Sequence, residues 1–320
     1  FELTPEDLDE AKHPWKMRYC ALQNVTLNLP RAAYRCNGDE EALFEIIDEE
    51  MELAAKAHLQ KRAFIKSILD LGLQGPLAAL CVSHDDEGYL RMRKASHLIG
   101  ILGLNEMVEA VTGSQLHESE HAEQLGKAVI QYMDLKCQQL SERLGIKIVL
   151  EQTPAESTAL RFAKLDMRAY PDIARRYIKG NFETGEIYYT NSTHLNYKLV
   201  QDPIDKVMRE GELHPMIKAG AITHIWMGEH KPDPDALASF VIKTFRHSEN
   251  AQIAFSPEFT ICNECNRIER GLSDTCSRCG SEDVDGITRV TGYFTRTSSW
   301  NAGKRGELKD RARCPVKAPA

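Results

Sequence analysis

The stretch His97-Leu-Ile-Gly-Ile-Leu-Gly103 is a short apolar run, and it predicts a buried β-strand. A helical pattern follows at once, and we expect Asn105 to be its N-cap. A second amphipathic pattern covers residues 118–144, and Gly145 ends it before a buried-looking strand at residues 146–150. Strands that alternate with helices in this way predict an α/β fold with mainly parallel pairing.

The same alternation extends to both sides of this unit. Upstream, residues 21–30 predict a strand that Pro30 stops, and Asp39 begins a helix that runs to Gly72. Downstream, the pattern predicts three strands and one helix, at residues 188–190, 222–227, 253–255 and 233–247. The alternation ends after Phe259, where a cysteine cluster begins. We therefore expect one unit over residues 1–258 and a second over residues 259–320.

The composition is ordinary for a globular protein, with 42% hydrophobic and 27% charged residues. The formal net charge is −7, so no overall basic field recruits nucleic acid, and we expect no direct nucleic-acid partner. No uninterrupted apolar run is long enough to cross a bilayer, and no signal-peptide pattern opens the chain. We therefore expect a cytoplasmic protein without a membrane partner.

The start of the chain and its cysteines carry further information. Phe1 opens the chain without an initiator methionine, from which we expect a fragment or a processed product. Nine cysteines are present, and four of them lie within one short segment near the C-terminus. An odd total with such a cluster predicts a metal site in a reducing compartment rather than a disulfide framework.

Two Cys-x-x-Cys pairs form that cluster. Cys262 and Cys265 are separated by ten residues from Cys276 and Cys279, and Gly280 follows the second pair. Two such knuckles present four thiolates tetrahedrally, which suits Zn²⁺ and leaves no open coordination position. The spacing therefore predicts a structural zinc ion. A redox pair or a coincidental cluster is the alternative for these residues.

A ribbon that binds nucleic acid is a separate alternative for the same segment. This alternative is weakened because the segment has few basic residues, Arg267, Arg270 and Arg278, and acidic residues are interleaved with them.

Shortly downstream of the cysteines lies Arg289-Val-Thr-Gly-Tyr-Phe294. Taken alone, this string favours a strand with a glycine kink, and its place just after the cysteines raises its significance.

The string Arg289-Val290-x-Gly292-Tyr293 resembles the signature of glycyl radical enzymes, which include pyruvate formate-lyase. The cysteine knot and the downstream Trp300-Asn301-x-Gly303-Lys304 resemble one branch of them, the anaerobic (class III) ribonucleoside-triphosphate reductases. Four further segments resemble the same branch, in family order, at residues 25–31, 103–106, 153–156 and 189–192. The resemblance covers essentially the whole chain.

The resemblance implies a fold and an activity. The fold would be an α/β barrel of the glycyl-radical type, with its later strands in residues 1–258 and a zinc ribbon, radical loop and tail in residues 259–320. In the family, a radical-SAM activating enzyme removes hydrogen from the signature glycine, here Gly292. The glycyl radical oxidises a cysteine, and the thiyl takes the 3′ hydrogen of a ribonucleoside triphosphate. A homodimer and an N-terminal remainder of the reductase are also implied.

Two polar residues are candidates for ribose contact. Asn28 both donates and accepts hydrogen bonds, and Glu156 follows a predicted strand, where α/β enzymes place active groups. The alternatives are a strand-end turn asparagine and a helix-start glutamate. At the radical loop, we expect the side chains of Val290, Tyr293 and Phe294 to bury the tip around the glycine.

The sequence departs from the family pattern at the thiyl cysteine. In the family this residue lies on a loop just before the strand that leads to Asn-Leu-Pro-Arg, which here falls at or before Phe1. Cys20 is the nearest cysteine, but it lies too close to the strand to take this role. We expect the thiyl cysteine and the N-terminal allosteric regions to be missing. The isolated chain is then expected not to reduce ribonucleotides.

Two other functions are alternatives for this chain, and its basic C-terminal tail has two possible roles. A glycyl radical enzyme of the pyruvate formate-lyase type is disfavoured by the cysteine knot and by residues 25–31. A non-catalytic zinc-ribbon interaction module is the rival from a different class. The basic tail is predicted to face solvent, with docking of the activating enzyme as the alternative, and comprises Lys304, Arg305, Lys309, Arg311 and Arg313.

Overall fold

The computed structural model describes residues 5–83, 87–228 and 230–314. Phe1, on which the fragment interpretation rests, lies outside the described residues. The strands are β1 Cys20–Asn28, β2 Ala95–Leu102, β3 Lys147–Glu151, β4 Lys179–Asn181, β5 Glu186–Tyr188, β6 Thr223–Gly228, β7 Ile253–Pro257, β8 Phe259–Cys262, β9 Ile268–Arg270, β10 Val284–Arg289 and β11 Phe294–Arg296. The helices are α1 Pro5–Glu10, α2 Pro14–Met17, α3 Leu29–Cys36, α4 Glu40–Leu69, α5 Ala78–Cys81, α6 Leu104–Thr112, α7 Glu120–Leu144, α8 Thr158–Ala169, α9 Pro171–Tyr177, α10 Pro203–Gly211, α11 Pro234–His247 and α12 Ala302–Asp310.

The main sheet has the order β1-β2-β3, and both pairings are parallel. Every residue of β2 is buried, as expected for a central strand covered on both faces. The long helices α4 and α7 pack against each other and against this sheet, through buried residues such as Leu43, Ile47, Val129 and Met133. The predicted α/β class with parallel pairing is confirmed here and in the parallel pair β6–β7.

The C-terminal strands follow a different rule. Strands β8 to β11 form one antiparallel sheet of order β11-β10-β8-β9, and β4–β5 is a separate antiparallel pair. Their short connections allow antiparallel neighbours, whereas parallel neighbours need long crossovers. The fold is therefore mixed, with parallel pairing in β1–β2–β3 and β6–β7 and antiparallel pairing in β4–β5 and from Phe259 onward. No helix in the described ranges is both long and apolar enough to cross a bilayer.

Two boundary predictions were wrong for identifiable reasons. The strand predicted to run to Pro30 already ends at Asn28, and Pro30 lies in the first turn of α3, where its missing N–H costs nothing. Asn105 does not cap α6, because Gly103 (φ 75°) holds that position and Asn105 lies inside the helix. The Asn105 side chain instead accepts from the backbone N–H of Leu116 at 3.3 Å. The predicted starts of α4 after Asp39 and α11 after Asp233 are confirmed.

Helix α12 lies against β5, and Gly303 is the residue that allows the close approach. A Cβ at Gly303 would lie 2.8 Å from Leu160 Cβ and 2.9 Å from the Ile187 carbonyl oxygen. Gly303→Ala should therefore lower the free energy of unfolding by about 1–2 kcal/mol, since overpacking outweighs the better helix propensity of alanine. Urea unfolding measures this change. Gly292→Ala, which meets open space, is the matched control, and equal losses in both variants would contradict the packing argument.

Candidate functional site

The four clustered cysteines converge in space. The ligand atoms of Cys262, Cys265, Cys276 and Cys279 all lie within 4.8 Å of one another, and the Sγ atoms of two pairs are 3.6 Å apart. A tetrahedral zinc ion with bonds of about 2.3 Å separates its sulfur ligands by about 3.8 Å. The arrangement therefore fits one such ion, with all four coordination positions supplied by the chain.

The two knuckles have the same backbone geometry. The N–H of Asn266 donates to the carbonyl of Cys262 at 3.1 Å, and the N–H of Gly280 donates to that of Cys276 at 2.9 Å. Asn266 (φ 55°) and Gly280 (φ 72°) are both left-handed, a conformation that asparagine and glycine tolerate best. The backbone N–H of Cys279 lowers the pKa of the Cys276 thiol to about 7, which favours the thiolate at that residue. At Cys279, despite a hydrogen bond from the backbone of Ser281, desolvation and the neighbouring thiols raise the pKa.

Strand β10 joins the cysteine cluster to the predicted radical loop. At one end Val284 pairs with Cys262 of β8, and at the other Arg289 pairs with Phe294 of β11. The glycine string is therefore the turn of the β10–β11 hairpin, with Gly292 in its tip. The cysteine cluster and the hairpin therefore share one strand.

The hairpin tip is held by its own residues. The N–H of Val290 donates to the Tyr293 carbonyl at 3.0 Å, and the Arg289 guanidinium donates to the Gly292 carbonyl at 2.6 Å. Val290 is 4% exposed, but Tyr293 and Phe294 are 58% and 41% exposed. The prediction that all three bury the tip was wrong for the two aromatic residues. Only one side of the tip faces the body of the protein, so neighbouring side chains cannot all point inward.

Neither packing nor backbone conformation explains the glycine at position 292. A Cβ there would meet no heavy atom within 4 Å, and the Gly292 φ lies outside the left-handed region. Two nearby glycines differ in this respect. A Cβ at Gly286 would lie 2.7 Å from Thr297 Oγ1, and Gly303 is confined by α8 and β5. Gly286 and Gly303 are packing glycines, whereas neither a close contact nor a left-handed backbone requires glycine at position 292.

The hairpin docks on the loop that follows β3. Thr291 Oγ1 donates to the Pro154 carbonyl at 3.2 Å, and the Tyr293 hydroxyl donates to Glu156 Oε2 at 3.2 Å. Asn301 Nδ2 donates to the Glu156 carbonyl at 2.7 Å. The negative charge of Glu156 raises the pKa of Tyr293. Glu156 and Gly292 thus belong to one site, although they are far apart in sequence.

The loop before Glu156 is strained. Ala155 is buried and has a φ of 23°, which a residue with a Cβ adopts only when its surroundings impose it. Such strain is concentrated at functional sites and ligand-binding loops. This agrees with the position of Ala155 between Pro154 and Glu156, the two residues that the hairpin contacts.

Asn28 lies at the end of β1 and is largely engaged within the protein. Its side-chain oxygen accepts from the N–H of Arg31 at 3.4 Å, and its Nδ2 donates to Asp166 Oδ2 at 2.8 Å. It therefore caps α3, which agrees with the alternative reading as a strand-end residue. One amide hydrogen and one lone pair remain, so contact with a ribose stays a prediction.

Asp166 joins several side chains by hydrogen bonds at the end of β1, and it was not identified from the sequence. Its buried carboxylate accepts from Asn28, from Arg31 Nε at 2.7 Å and from the Tyr189 hydroxyl at 3.0 Å. Tyr189 in turn lies 3.0 Å from the hydroxyl of Tyr34. The one local signal is an aspartate on the apolar face of α8. Buried charges of this kind are normally paired.

Replacing Asp166 should be costly. Asp166→Asn removes the charge that pairs with Arg31 and turns one acceptor oxygen into a donor, so we expect a loss of about 2–3 kcal/mol in the free energy of unfolding. The exposed Asp172→Asn should cost less than about 1 kcal/mol. Urea unfolding of the two variants compares them directly. Equal stabilities would show that the Asp166 network contributes little.

The basic tail is not wholly exposed to solvent. Lys304 and Arg311 are buried, and both pair with the buried Glu307, at 2.6 Å and 2.8 Å. The prediction that the tail faces solvent was therefore wrong for these two residues. The signal was present in the spacing, because Glu307 lies three residues after Lys304 and four before Arg311, on one face of a helix.

Solved structures of ribonucleotide reductases share this fold. One structure named an anaerobic ribonucleotide reductase superposes with a TM-score of 0.77 at 21% identity, over 93% of this chain and 45% of that one. The Thermotoga maritima anaerobic ribonucleotide reductase, solved in complex with dATP and CTP, has a TM-score of 0.71 at 21% identity, over 91% of this chain and 45% of that one.

The sequence places the chain in one family. The family model of anaerobic ribonucleoside-triphosphate reductase matches residues 6–313, and the chain belongs to that family. The reductase of Salmonella typhimurium is 27% identical over 305 residues, which cover 90% of this chain and 42% of that protein. The reductase of Enterobacteria phage T4 is 25% identical over 308 residues, which cover 90% of this chain and 48% of that protein. The chain thus spans less than half the length of these relatives.

Proposed function

We propose that this chain carries the glycyl-radical hairpin and the zinc knot of an anaerobic reductase that converts ribonucleoside triphosphates to deoxyribonucleotides. The observation that carries the proposal is the place of Gly292, at the tip of a hairpin docked on the Glu156 loop, where no structural need for glycine exists. Membership of the reductase family supports the substrate class.

The chemistry explains the residue type. A radical on a backbone Cα is stabilised when the amide nitrogen and the carbonyl both share the unpaired electron, which requires a planar centre. A side chain would crowd that geometry, and glycine has none. The exposed tip leaves Gly292 open to a radical-SAM activating enzyme that removes one hydrogen atom. The Arg289 guanidinium, which donates to the Gly292 carbonyl, helps to hold that carbonyl in place.

The reaction that follows is the one the family resemblance implies. The glycyl radical takes a hydrogen atom from a cysteine outside its own hairpin, and the thiyl radical takes the 3′ hydrogen of the ribose. The 2′ hydroxyl takes up a proton and leaves as water, an external reductant supplies two electrons, a second proton is taken up at C2′, and the 3′ hydrogen returns to the sugar. Glu156, beside the hairpin, and Asn28, at the end of β1, are the proposed ribose contacts.

The zinc site has a structural role in this proposal. Cys262, Cys265, Cys276 and Cys279 would hold Zn²⁺ with no open position, so the ion would order the sheet rather than bind substrate. We further propose that residues 1–258 form the later strands of a glycyl-radical type α/β barrel and residues 259–320 a zinc ribbon, the radical loop and a tail. The remainder of the reductase, a second copy in a homodimer and a cytoplasmic location complete the proposal.

An isotope experiment tests the proposed reaction. The complete reductase that contains this chain is activated anaerobically, and its turnover is measured with ordinary and 3′-deuterated ribonucleoside triphosphate. We expect deoxyribonucleotide product and slower turnover of the deuterated substrate in single-turnover measurements, because the 3′ bond is broken. A reductase that forms no deoxyribonucleotide, or one whose chemical step is indifferent to 3′ deuteration, would overturn the proposal.

A further inference from the structure

We propose that Arg311 is a positioning residue that clamps the base of the Gly292 hairpin to the body of the protein. The inference rests on the proposed function of Gly292 and adds to it a residue that determines where the radical lies. Arg311 is 3% exposed and follows α12, on the tail that the sequence suggested would face solvent.

The contacts of Arg311 reach the backbone just before the hairpin tip. Its Nη1 donates to the Arg289 carbonyl at 3.0 Å, and its Nη2 donates to the Val290 carbonyl at 3.1 Å. These two consecutive carbonyls immediately precede Thr291 and Gly292. A planar guanidinium has several donors in a fixed fork, so one side chain can hold both carbonyls at once.

The guanidinium is itself held on several sides. Glu307 Oε1 accepts from Arg311 Nη2 at 2.8 Å, and Lys304 pairs with the other oxygen of the same carboxylate at 2.6 Å. The rings of Trp226 and Trp300 both lie with their centroids 5.4 Å from Arg311 Cζ. Burial against aromatic rings and a buried carboxylate fixes the group without leaving its charge unpaired.

The backbone after Arg311 is tied to the body as well. The N–H of Ala312 donates to the Tyr197 carbonyl at 2.8 Å, and the N–H of Cys314 donates to the Trp226 carbonyl at 2.9 Å. The hairpin is therefore anchored twice, through β10 to the cysteine knot and through Arg311 to β6. The second anchor does not depend on a metal.

Positioning matters because hydrogen transfer between a glycyl Cα and a cysteine sulfur needs the reacting atoms close and aligned. A misplacement of about 1 Å can cost about 100-fold in rate. Arg311 bonds to the carbonyls before the tip and not to Gly292 itself, so its loss should leave hydrogen abstraction by the activating enzyme possible. We therefore expect a variant in which the radical forms but the rate of substrate turnover per radical is low.

The test compares Arg311→Lys with Arg313→Lys in the complete reductase. Lysine keeps the charge but cannot span two carbonyls and a carboxylate. Arg313 is the control: it lies on the same tail, pairs with Glu258 at 2.9 Å and donates to the Arg311 carbonyl at 2.7 Å, but its hydrogen bonds do not reach the hairpin. We expect both variants to keep zinc content and radical per chain, by electron paramagnetic resonance, within about twofold. Turnover per radical should fall about 10- to 100-fold in Arg311→Lys alone. Unchanged turnover per radical would overturn the proposal.

A second readout separates this inference from the function it rests on. Hydrogen exchange at the amides of residues 289–293 should be faster in Arg311→Lys than in Arg313→Lys, whether or not a radical forms. Absence of a Gly292 radical in the unsubstituted enzyme would reject the proposed function, while the exchange rates would still decide the clamp. Equal exchange rates in the two variants would overturn the proposed role of Arg311. Arg311→Gln, which keeps one donor group, replaces Arg311→Lys if the latter does not fold.

Discussion

We expect Gly292→Ala to abolish the glycyl radical in the activated reductase, while the zinc content and the free energy of unfolding should stay close to those of the unsubstituted protein. The radical is lost because alanine places a Cβ where a planar, doubly stabilised centre must form. The fold is retained because that Cβ would meet no heavy atom within 4 Å and the backbone is not in the left-handed region. The effect on turnover is therefore complete loss, without the destabilisation expected of Gly303→Ala.

Electron paramagnetic resonance of the activated enzyme measures this result. The unsubstituted protein should show a doublet from the single remaining Cα hydrogen, and the variant should show none. Exposure to oxygen then locates the radical independently, because oxygen attacks the radical carbon and cuts the backbone there. Mass spectrometry after exposure to air should find a C-terminal peptide that begins near Tyr293. A doublet that persists in Gly292→Ala, or cleavage at Gly286 or Gly303, would place the radical elsewhere.

Replacing the proposed zinc ligands Cys276 and Cys279 together by serine should release the metal and loosen the sheet formed by β8 to β11. This sheet is small, and much of its order would come from the metal, since structural zinc contributes about 10–16 kcal/mol of apparent binding free energy in zinc-finger peptides. The α/β body has its own apolar core around α4 and α7, so it should remain folded. Because β10 leads directly to the hairpin, radical formation at Gly292 should fall as well.

Metal analysis of protein purified without chelator, with hydrogen exchange by segment, checks this expectation. The unsubstituted protein should hold one zinc per chain, and the double variant should hold almost none. Exchange should accelerate over residues 259–296 and change little over residues 95–151. Cys81→Ser, whose sulfur is not part of the cluster, is the control and should keep its zinc. Substoichiometric zinc in the unsubstituted protein, or full zinc in the double variant, would contradict the assignment.

The predictions from the amino-acid sequence hold where the signal is local. The period of apolar residues placed α7 and β3, and the caps Asp39 and Asp233 placed the starts of α4 and α11. The cysteine knuckles belong to the same class, because two residues between cysteines and a left-handed residue after each pair are enough to build a knuckle. Side-chain spacing along one segment determines each of these features, so no distant partner is needed to predict them.

The family resemblance rested on motifs of the same local kind. The glycine string, the cysteine spacing and the segments at residues 25–31 and 153–156 could be identified one at a time. The match over residues 6–313 confirms the family that they indicated. What they could not provide was the arrangement of the motifs, in which Tyr293 bonds to Glu156 and Asn301 holds the same loop.

The tertiary structure decided which charged residues are buried. Lys304 and Arg311 were predicted to face solvent and Asp166 was not singled out, yet each lies inside the protein beside a partner of opposite charge. A charged side chain is stable in the interior only when a partner is supplied there. The partners of the hairpin come from the loop after β3, more than a hundred residues away, and from Arg311, at the far end of α12. The sequence by itself therefore determined the local elements, the cysteine knuckles and the family that the glycine motif indicates, whereas the docking of the Gly292 hairpin on Glu156 and its hydrogen bonds to Arg311 depend on contacts that exist only in the folded chain.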